Sequence, residues 1–273
     1  MKFPLPVLDA SGGVPSDLQF DDSALATTVG KIVARQGIGG YEPETIGAAL
    51  ALVSSGGLRN FVDVGANIGL FSLVLKSVFG ASIRVRAHEP LPGLLAHCRR
   101  LAEANGLDIQ CRPEALSDTS GTAKFYVSAK SDSSNSLNPR FRPAKDVIDV
   151  ELATIDEVYG GEPADGWLFK IDTESTEPDV IRGASAFIRR ARPWIICEVL
   201  HGRGEDRLQL LVDEHRYHAY HLKAGPLTAP EPIAGDSTYE YRDWLFAPVP
   251  VGEAFNQHYA AWQRALARVA LKA

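Results

Sequence analysis

The stretch Phe61-Val62-Asp63-Val64-Gly65-Ala66-Asn67-Ile68-Gly69 joins two apolar residues, an acid and a pair of glycines four residues apart to an amphipathic run. This is the pattern of a buried strand that passes through a tight turn into a helix. Glycine lets the backbone turn sharply and lets a ligand lie against it, and a helix start offers unpaired N–H groups. Twenty residues beyond Gly69 stands Glu89, at the end of Ser82–Pro90, which reads as a second strand stopped by Pro90. An acid in that place accepts hydrogen bonds from the two hydroxyls of a ribose. A third group is Lys170-Ile171-Asp172-Thr173-Glu174. Side chains alternate along a strand, so Lys170 and Asp172 share a face. A lysine within a covered strand is costly unless paired, so it belongs to a buried Lys–carboxylate pair or to a site. Asp172, Glu174, Glu198 and His201 gather at the ends of two neighbouring strands.

The glycine turn admits several readings. A phosphate loop needs Gly-x-x-x-x-Gly-Lys-Ser/Thr, and the lysine is missing. A dinucleotide fingerprint needs Gly-x-Gly-x-x-Gly, whereas the spacing here is Gly-x-x-x-Gly after an acid. The loop is similar to the first loop of S-adenosylmethionine methyltransferases, where an acid and a turn hold the methionine part of the cofactor. A packing turn in an unrelated α/β protein is the remaining alternative. Glu89 does not separate a nicotinamide protein from a methyltransferase, since both use such an acid.

The elements that position these groups alternate in type. The first strand spans residues 60–65, and a helix follows with Leu70, Phe71, Val74, Leu75, Val78 and Phe79 at helical spacing. The second strand ends at Glu89, and a helix from Pro92 closes at Asn105-Gly106. A third strand runs from Ile109 to about Leu116, and 121–127 and 147–152 read as extra strands around the polar loop Ser131–Ser136. The fourth strand is 167–172. Thr176 is the expected N-cap of one helix that buries Val180, Ile181, Ala184, Phe187 and Ile188. The fifth strand is 194–199, and 217–222 and 244–249 are the last two. Such alternation predicts an α/β fold with a mostly parallel sheet and helices on both faces. Ligands of these sheets sit at the carboxyl ends of the strands. Residues 1–40, with Gly12, Gly13, Gly37, Gly39 and Gly40, read as an irregular N-terminal arm or lid, 41–250 as the main domain, and 251–273 as a C-terminal helix. The stripe Phe255, Tyr259, Trp262, Leu266 and Val269 on that helix docks on the core, with a homodimer seam as the alternative.

Composition sets outer limits. The 273 residues are 45% hydrophobic, enough for a full core, and the net charge is −6 with no long basic run. That argues against nucleic acid as the main partner. No apolar run is long enough for a membrane span. The Pro-interrupted start lacks the features of a secretion signal. Cys98, Cys111 and Cys197 are dispersed and form no metal spacing, which reads as packing residues in a reducing, cytoplasmic setting.

Over most of its length the chain resembles the FkbM-type methyltransferases. The resemblance is carried by Tyr41-Glu42-Pro43, the Asp63–Gly69 loop, Glu89-Pro90-Leu91-Pro92, Asn105, Ala115-Leu116-Ser117-Asp118 with Gly121, and Thr154-Ile155-Asp156. It continues through Leu168-Phe169-Lys170-Ile171-Asp172-x-Glu174-x-x-Glu177, Arg182-Gly183-Ala184 and Arg192-Pro193-Trp194-Ile195-Ile196-Cys197-Glu198. Thr173 and Ser175 depart from the Val and Gly usual in the family, which puts the local turn and the substrate preference in question. The resemblance implies a class I, Rossmann-like methyltransferase fold and methyl transfer from S-adenosylmethionine to an oxygen, with sugars and natural products such as polyketides as frequent acceptors. It implies that Asp63, Gly65, Asn67 and Gly69 hold the methionine end, that Glu89 and Pro90 meet the ribose, and that Glu114, Ala115 and Leu116 border the adenine. Glu42 would close over the cofactor.

An aliphatic hydroxyl has a pKa near that of water, roughly 15, so the reaction needs a base or a metal that acidifies it. His201 is the expected base, since imidazole titrates near neutrality. Lys170 is the next candidate after it. Asp172, Glu174 and Glu198 are the candidate ligands for Mg²⁺, which prefers oxygen. A nicotinamide oxidoreductase and a cofactor-binding domain without catalysis are the rival functions.

Overall fold

Strands that are apolar on both faces need a helical layer on each. The computed structural model, which describes residues 1–8 and 17–271, has that arrangement. The chain opens with β1 (Lys2–Pro4) and β2 (Asp17–Gln19), paired antiparallel, followed by α1 (Asp22–Leu25), α2 (Thr28–Gln36) and α3 (Pro43–Gly56). Next come β3 (Asn60–Val64), α4 (Leu70–Phe79), β4 (Arg84–His88), α5 (Pro92–Ala104) and β5 (Ile109–Arg112). Then β6 (Ala115–Leu116), β7 (Gly121–Ser128) and β8 (Ala144–Ala153) form a separate three-stranded sheet in the order β6-β8-β7. The second half contains α6 (Ile155–Tyr159), β9 (Trp167–Ile171), α7 (Glu177–Arg182), α8 (Ser185–Ala191), β10 (Trp194–Glu198) and α9 (Glu205–Glu214). It ends with β11 (His218–His221), β12 (Asp243–Ala247) and α10 (Glu253–Val269).

The central sheet has the order β11-β12-β10-β9-β3-β4-β5. From β10 to β5 every pairing is parallel, and β12 is antiparallel to both its neighbours. This is a doubly wound sheet whose strand order reverses between β3 and β9, the place where such sheets open a ligand crevice.

Strand alternation sorts the core into two layers. Phe61, Leu168, Ile196 and Leu245 face the layer built by α3, α4 and α10. Val62, Val64, Trp167, Phe169, Ile195, Cys197, Trp244 and Phe246 face the layer built by α6 to α9. The second layer centres on the rings of Tyr159, Trp167, Phe169 and Phe187, in edge-to-face or stacked contact with centroids 5.1–6.5 Å apart.

Several expectations are corrected. The described parts of the 1–40 segment, residues 1–8 and 17–40, contain regular elements. Their β1, β2, α1 and α2 bury Phe3, Leu5, Leu18, Phe20, Val29 and Val33 in the same core layer as α3. Gly12 and Gly13, like Lys272, lie outside the described residues. The expected third strand divides, because β5 ends at Arg112 and residues 115–116 leave the central sheet to pair with β8. The helix after Thr176 divides too. Gly183 sits so close to Ser117 that a Cβ would lie 2.0 Å from its carbonyl oxygen. The free N–H groups at the start of α8 are then met by Asp156, whose carboxylate accepts from Ala186 at 3.0 Å and Phe187 at 2.6 Å. The Thr176 hydroxyl donates to the Thr173 carbonyl and does not cap α7. On α10 the stripe Phe255, Tyr259, Trp262 and Leu266 is buried, and Trp262 donates to Ser54 of α3 at 2.9 Å. Among the described residues no helix is long and apolar enough to cross a membrane.

Removing Phe187 from the aromatic layer leaves a cavity between two helices and the sheet. Phe187→Ala should lower stability by about 3–5 kcal/mol, read as a lower urea midpoint with an unchanged slope. A loss within error of zero would show that this layer is not tightly packed.

Candidate active site

The rim of the sheet follows from strand parity. Asp63 pairs in register with Lys170, Lys170 with Ile196, and Glu198 with Asp243. Lys170 and Leu168 share a face, as do Asp172, Glu198 and Asp243 with their neighbours two residues away. One lysine and four acids therefore point to the layer of α3 and α4, at or near the carboxyl ends of the parallel strands. Because β12 runs antiparallel, its first residue joins this rim, and Arg242 stands just before it.

The turn after β3 is held at both ends. Gly65 has φ 79°, and a Cβ there would lie 1.8 Å from the Asp172 carbonyl oxygen, so only glycine lets the turn meet the end of β9. Gly69 has φ 81° and packs against Cys98, whose Sγ would lie 2.4 Å from an added Cβ. Cys98 and Cys111, dispersed in sequence, come together with sulfurs 3.3 Å apart. Glu89 locks the turn to the second strand. Its carboxylate accepts from the Asn67 N–H at 2.8 Å and the Leu91 N–H at 2.9 Å. Burial pushes its pKa up to about 7.

A cavity with an empty volume of ≈ 920 Å³, its open mouth included, lies over this turn. Of the residues singled out from sequence, Glu42, Gly65, Asn67, Glu89, Pro90, Ala115, Leu116, Asp172 and Glu174 line it. Asp63 does not. It is buried, and its carboxylate accepts from the Ser72 N–H and hydroxyl, tying β3 to α4. Gly69, Lys170 and Glu198 lie behind the wall. Glu114 turns away to Arg112 at 2.6 Å and His88 at 3.6 Å. His201 is a correction. It is exposed, its Nδ1 is 3.1 Å from the Gly235 carbonyl oxygen, and it is not part of the cavity wall.

The structure adds residues that sequence reasoning missed. Thr28, Val29 and Ile32 of α2 line the cavity, as do Tyr41, Asp132, Ser133, Asn135 and Arg242. Asp132 caps the start of α2 by accepting from the Thr28 N–H at 3.0 Å, and its carbonyl accepts from the Asn67 side chain at 3.3 Å. The polar run at 131–136 was the available signal. Arg242 had none, being a single cation in an unremarkable stretch.

Two cations hold the acids together. Lys170 donates to Asp172 at 2.8 Å and lies 4.6 Å from the centre of the Phe71 ring. Burial opposes charge on both partners, yet each stays ionised: Lys170 is held well above the usual lysine range, and Lys170 keeps Asp172 below the usual carboxylate range. Arg242 bridges Glu198 at 2.8 Å and Glu42 at 2.7 Å. Burial raises Glu42 to about 7 and Glu174 to about 9, Asp172 adding to each, and it pushes Glu198 well above its ordinary value. One ligand atom from each of Asp172, Glu174 and Glu198 falls within 4.8 Å of the others. The buried Glu198 Oε2 has no hydrogen-bond partner. The arrangement presents one ionised carboxylate, Asp172, beside acids poised to carry protons.

The turn after β9 resolves the question raised by Ser175. Glu174 and Ser175 have φ 57° and 85°, so the serine adopts the left-handed conformation that suits glycine. Glu177 stabilises the turn by accepting from the N–H groups of Thr173 at 2.9 Å and Ser175 at 3.1 Å. Asn138 donates to the Ser175 hydroxyl at 2.9 Å.

The family model of the methyltransferase FkbM domain matches residues 63–245. No curated protein matches the chain. Among solved structures, a methyltransferase FkbM from Methylobacillus flagellatus KT is 16% identical with a TM-score of 0.47, and the match covers 69% of this chain and 43% of that one. An O-methyltransferase from Bacillus cereus in complex with SAH is 14% identical with a TM-score of 0.43, covering 74% of this chain and 79% of that one. A precorrin-6y C5,15-methyltransferase from Geobacter metallireducens GS-15 is 11% identical with a TM-score of 0.40, covering 73% and 84%.

The raised pKa of Glu174 has a measurable sign. Above its ordinary pKa of 4.5 the unfolded chain gives up this proton, while the folded protein keeps it until about 9. Deprotonation therefore favours the unfolded state across that window, and stability contributed by the neutral acid is lost as pH rises. Glu174→Gln removes this loss. Its melting temperature relative to the parent should climb steadily from about pH 5 to about pH 9. A constant difference over that range would show that the acid is not held neutral.

Proposed function

Because this chain belongs to the FkbM methyltransferase family and has the class I methyltransferase fold, we propose that it transfers the methyl group of S-adenosylmethionine to a hydroxyl of a small molecule, a sugar or a glycosylated natural product. Within the family, the observation that carries the cofactor part of this reading is Glu89. Its carboxylate is fixed by two backbone N–H groups at the end of β4 and faces a cavity shared with the Gly65–Asn67 turn, Ala115, Leu116 and Asp172. Each oxygen of Glu89 keeps a second lone pair for a ribose hydroxyl. The methionine end would then lie along the glycine turn, the adenine against Leu116, and the sulfonium toward the acids at the end of β9.

In the reaction the acceptor oxygen forms a bond to the methyl carbon as the carbon–sulfur bond breaks, and the charge on sulfur disappears. Alignment does most of the work. The acceptor's proton must still leave. Asp172 is the group for it, since it lines the cavity and Lys170 keeps it ionised. The neighbouring Glu174 and Glu198 are both raised and already hold a proton, so Asp172 is the carboxylate left to take this one. Glu42 and Arg242 tie the segment before α3 to the rim and shield the cavity from water.

Mg²⁺ is the second way to manage the proton, favoured by the close approach of Asp172, Glu174 and Glu198 and by the unpartnered Glu198 Oε2. These residues would hold it, and it would acidify the acceptor hydroxyl.

Labelled S-adenosylmethionine with a panel of nucleotide sugars and glycosylated natural products tests the reading directly. Methylation of protein or RNA alone would overturn the acceptor class, and cofactor binding without turnover on any acceptor would favour a domain that lost its catalysis. In calorimetry Glu89→Ala should weaken S-adenosylhomocysteine at least about tenfold, since it removes charge-assisted hydrogen bonds worth roughly 1.5–3 kcal/mol each. Asp172→Asn should lower kcat by about 10²–10⁴ with that affinity intact, while His201→Ala stays near the parent rate. Chelator separates the two proton routes: a rate it leaves unmoved excludes the metal.

A further inference from the structure

The cavity is ringed by acids, yet the loops beside it carry cations with nothing to neutralise them. Between β7 and β8 the loop 129–143 is tied to the turn after β9, with Ser136 donating to the Glu174 carbonyl at 2.7 Å and Asn138 to the Ser175 hydroxyl at 2.9 Å. Next in this loop comes Phe141, a buried ring. The Arg142 guanidinium lies 4.9 Å from its centre, and the Arg203 guanidinium, from the loop after β10, lies 5.6 Å from the same centre. The loop between β7 and β8 and the loop after β10 thus bring two guanidiniums to one aromatic platform.

Among the described residues neither arginine is paired, and no carboxylate lies within ion-pair distance of either. Arg142 Nε is buried without a hydrogen-bond partner. The acid nearest Arg203 in sequence, Glu205, is already occupied by the N–H groups of Gly202 at 2.6 Å and Arg203 at 2.8 Å. In a chain of net charge −6, two partnerless guanidiniums on one ring are a local exception. A buried donor left unmade is costly, and a planar guanidinium fork matches the oxygens of phosphate and carboxylate. Arg142 is also close enough to Glu174, which lines the cavity, to pull the pKa of that acid downward against its burial.

We propose that Arg142 and Arg203 form an oxyanion subsite for the acceptor, whose phosphate or carboxylate group binds beside Phe141 while its hydroxyl enters the acidic cavity at Asp172. The proposal rests on the methyl-transfer reading for the role of the bound molecule, but the subsite itself is independent of it. It narrows the acceptor to an anionic sugar or glycoside. The ionised Asp172 in the cavity repels such a group, so the arginines fix which end of the acceptor enters.

The test is calorimetry with inorganic pyrophosphate and, separately, with glucuronate, on the full chain with and without S-adenosylhomocysteine. One or both anions should bind the parent. Arg142→Gln and Arg203→Gln should each weaken binding at least about threefold and the double variant at least about tenfold, with melting temperature and S-adenosylhomocysteine affinity unchanged. Arg142→Lys keeps the charge without the fork and should fall between the parent and Arg142→Gln. Pyrophosphate alone binding assigns a phosphate, and glucuronate alone a carboxylate. Absence of both, or equal affinity in the double variant, overturns the subsite. Failure of S-adenosylhomocysteine to bind while the arginine variants still lose the anion would overturn the methyl-transfer reading and leave the subsite standing.

Discussion

A single buried ammonium organises the chemistry of this molecule. Lys170 sits within a central strand, on the face covered by α3 and α4, where an unpaired charge could not persist. It needs an acid on the same face, and the residue two positions on supplies it. The consequence extends beyond the pair. Asp172 is forced to remain ionised in a place where its neighbours are forced toward neutrality, so acids of one chemical type acquire different roles through position alone. Arg242 repeats the device at the next strand, holding Glu198 and Glu42 at once.

The glycine turn depends on the same strand end. Gly65 can reach the Asp172 carbonyl because it has no side chain, and this contact sets the turn against the residue that carries the negative charge. Glu89 then fixes the far side of the turn through Asn67. The polar loop at 131–136 closes the arrangement from above, since Asp132 touches both Asn67 and the first residue of α2. Side chains that reach the backbone of remote segments thus decide the shape of the cavity.

Much of this was legible in the amino-acid sequence, for physical reasons. Apolar runs of strand length between amphipathic segments reveal a covered parallel sheet, and the rule that ligands gather at strand ends brings Asp172, Glu89 and the glycine turn together. The need of Lys170 for a partner was equally visible. What was not legible depends on contacts remote in sequence. Asp63 shares the face of Lys170 and Asp172, but the start of α4 lies over it and Ser72 takes its carboxylate, a contact that no local spacing signals. His201 has the right chemistry, but the loop after β10 carries it outward to Gly235. The segment up to residue 40 looked irregular because glycines cluster at 12–13 and 37–40, while its large apolar residues, Phe3, Leu5, Leu18, Phe20, Val29 and Val33, do the packing. Arg242 owes its role to an antiparallel strand whose start is delivered to the carboxyl end of its neighbour, and no local pattern announces that.

Arg242 is also the last of these groups to be synthesised, and it meets Glu42 across 200 residues of chain. The strand it precedes is inserted between β10 and β11, both of which are made earlier. Contacts of such separation form only after the entropy of closing the intervening chain has been overcome. One guanidinium therefore couples the segment before α3 to the end of β10 across almost the whole chain.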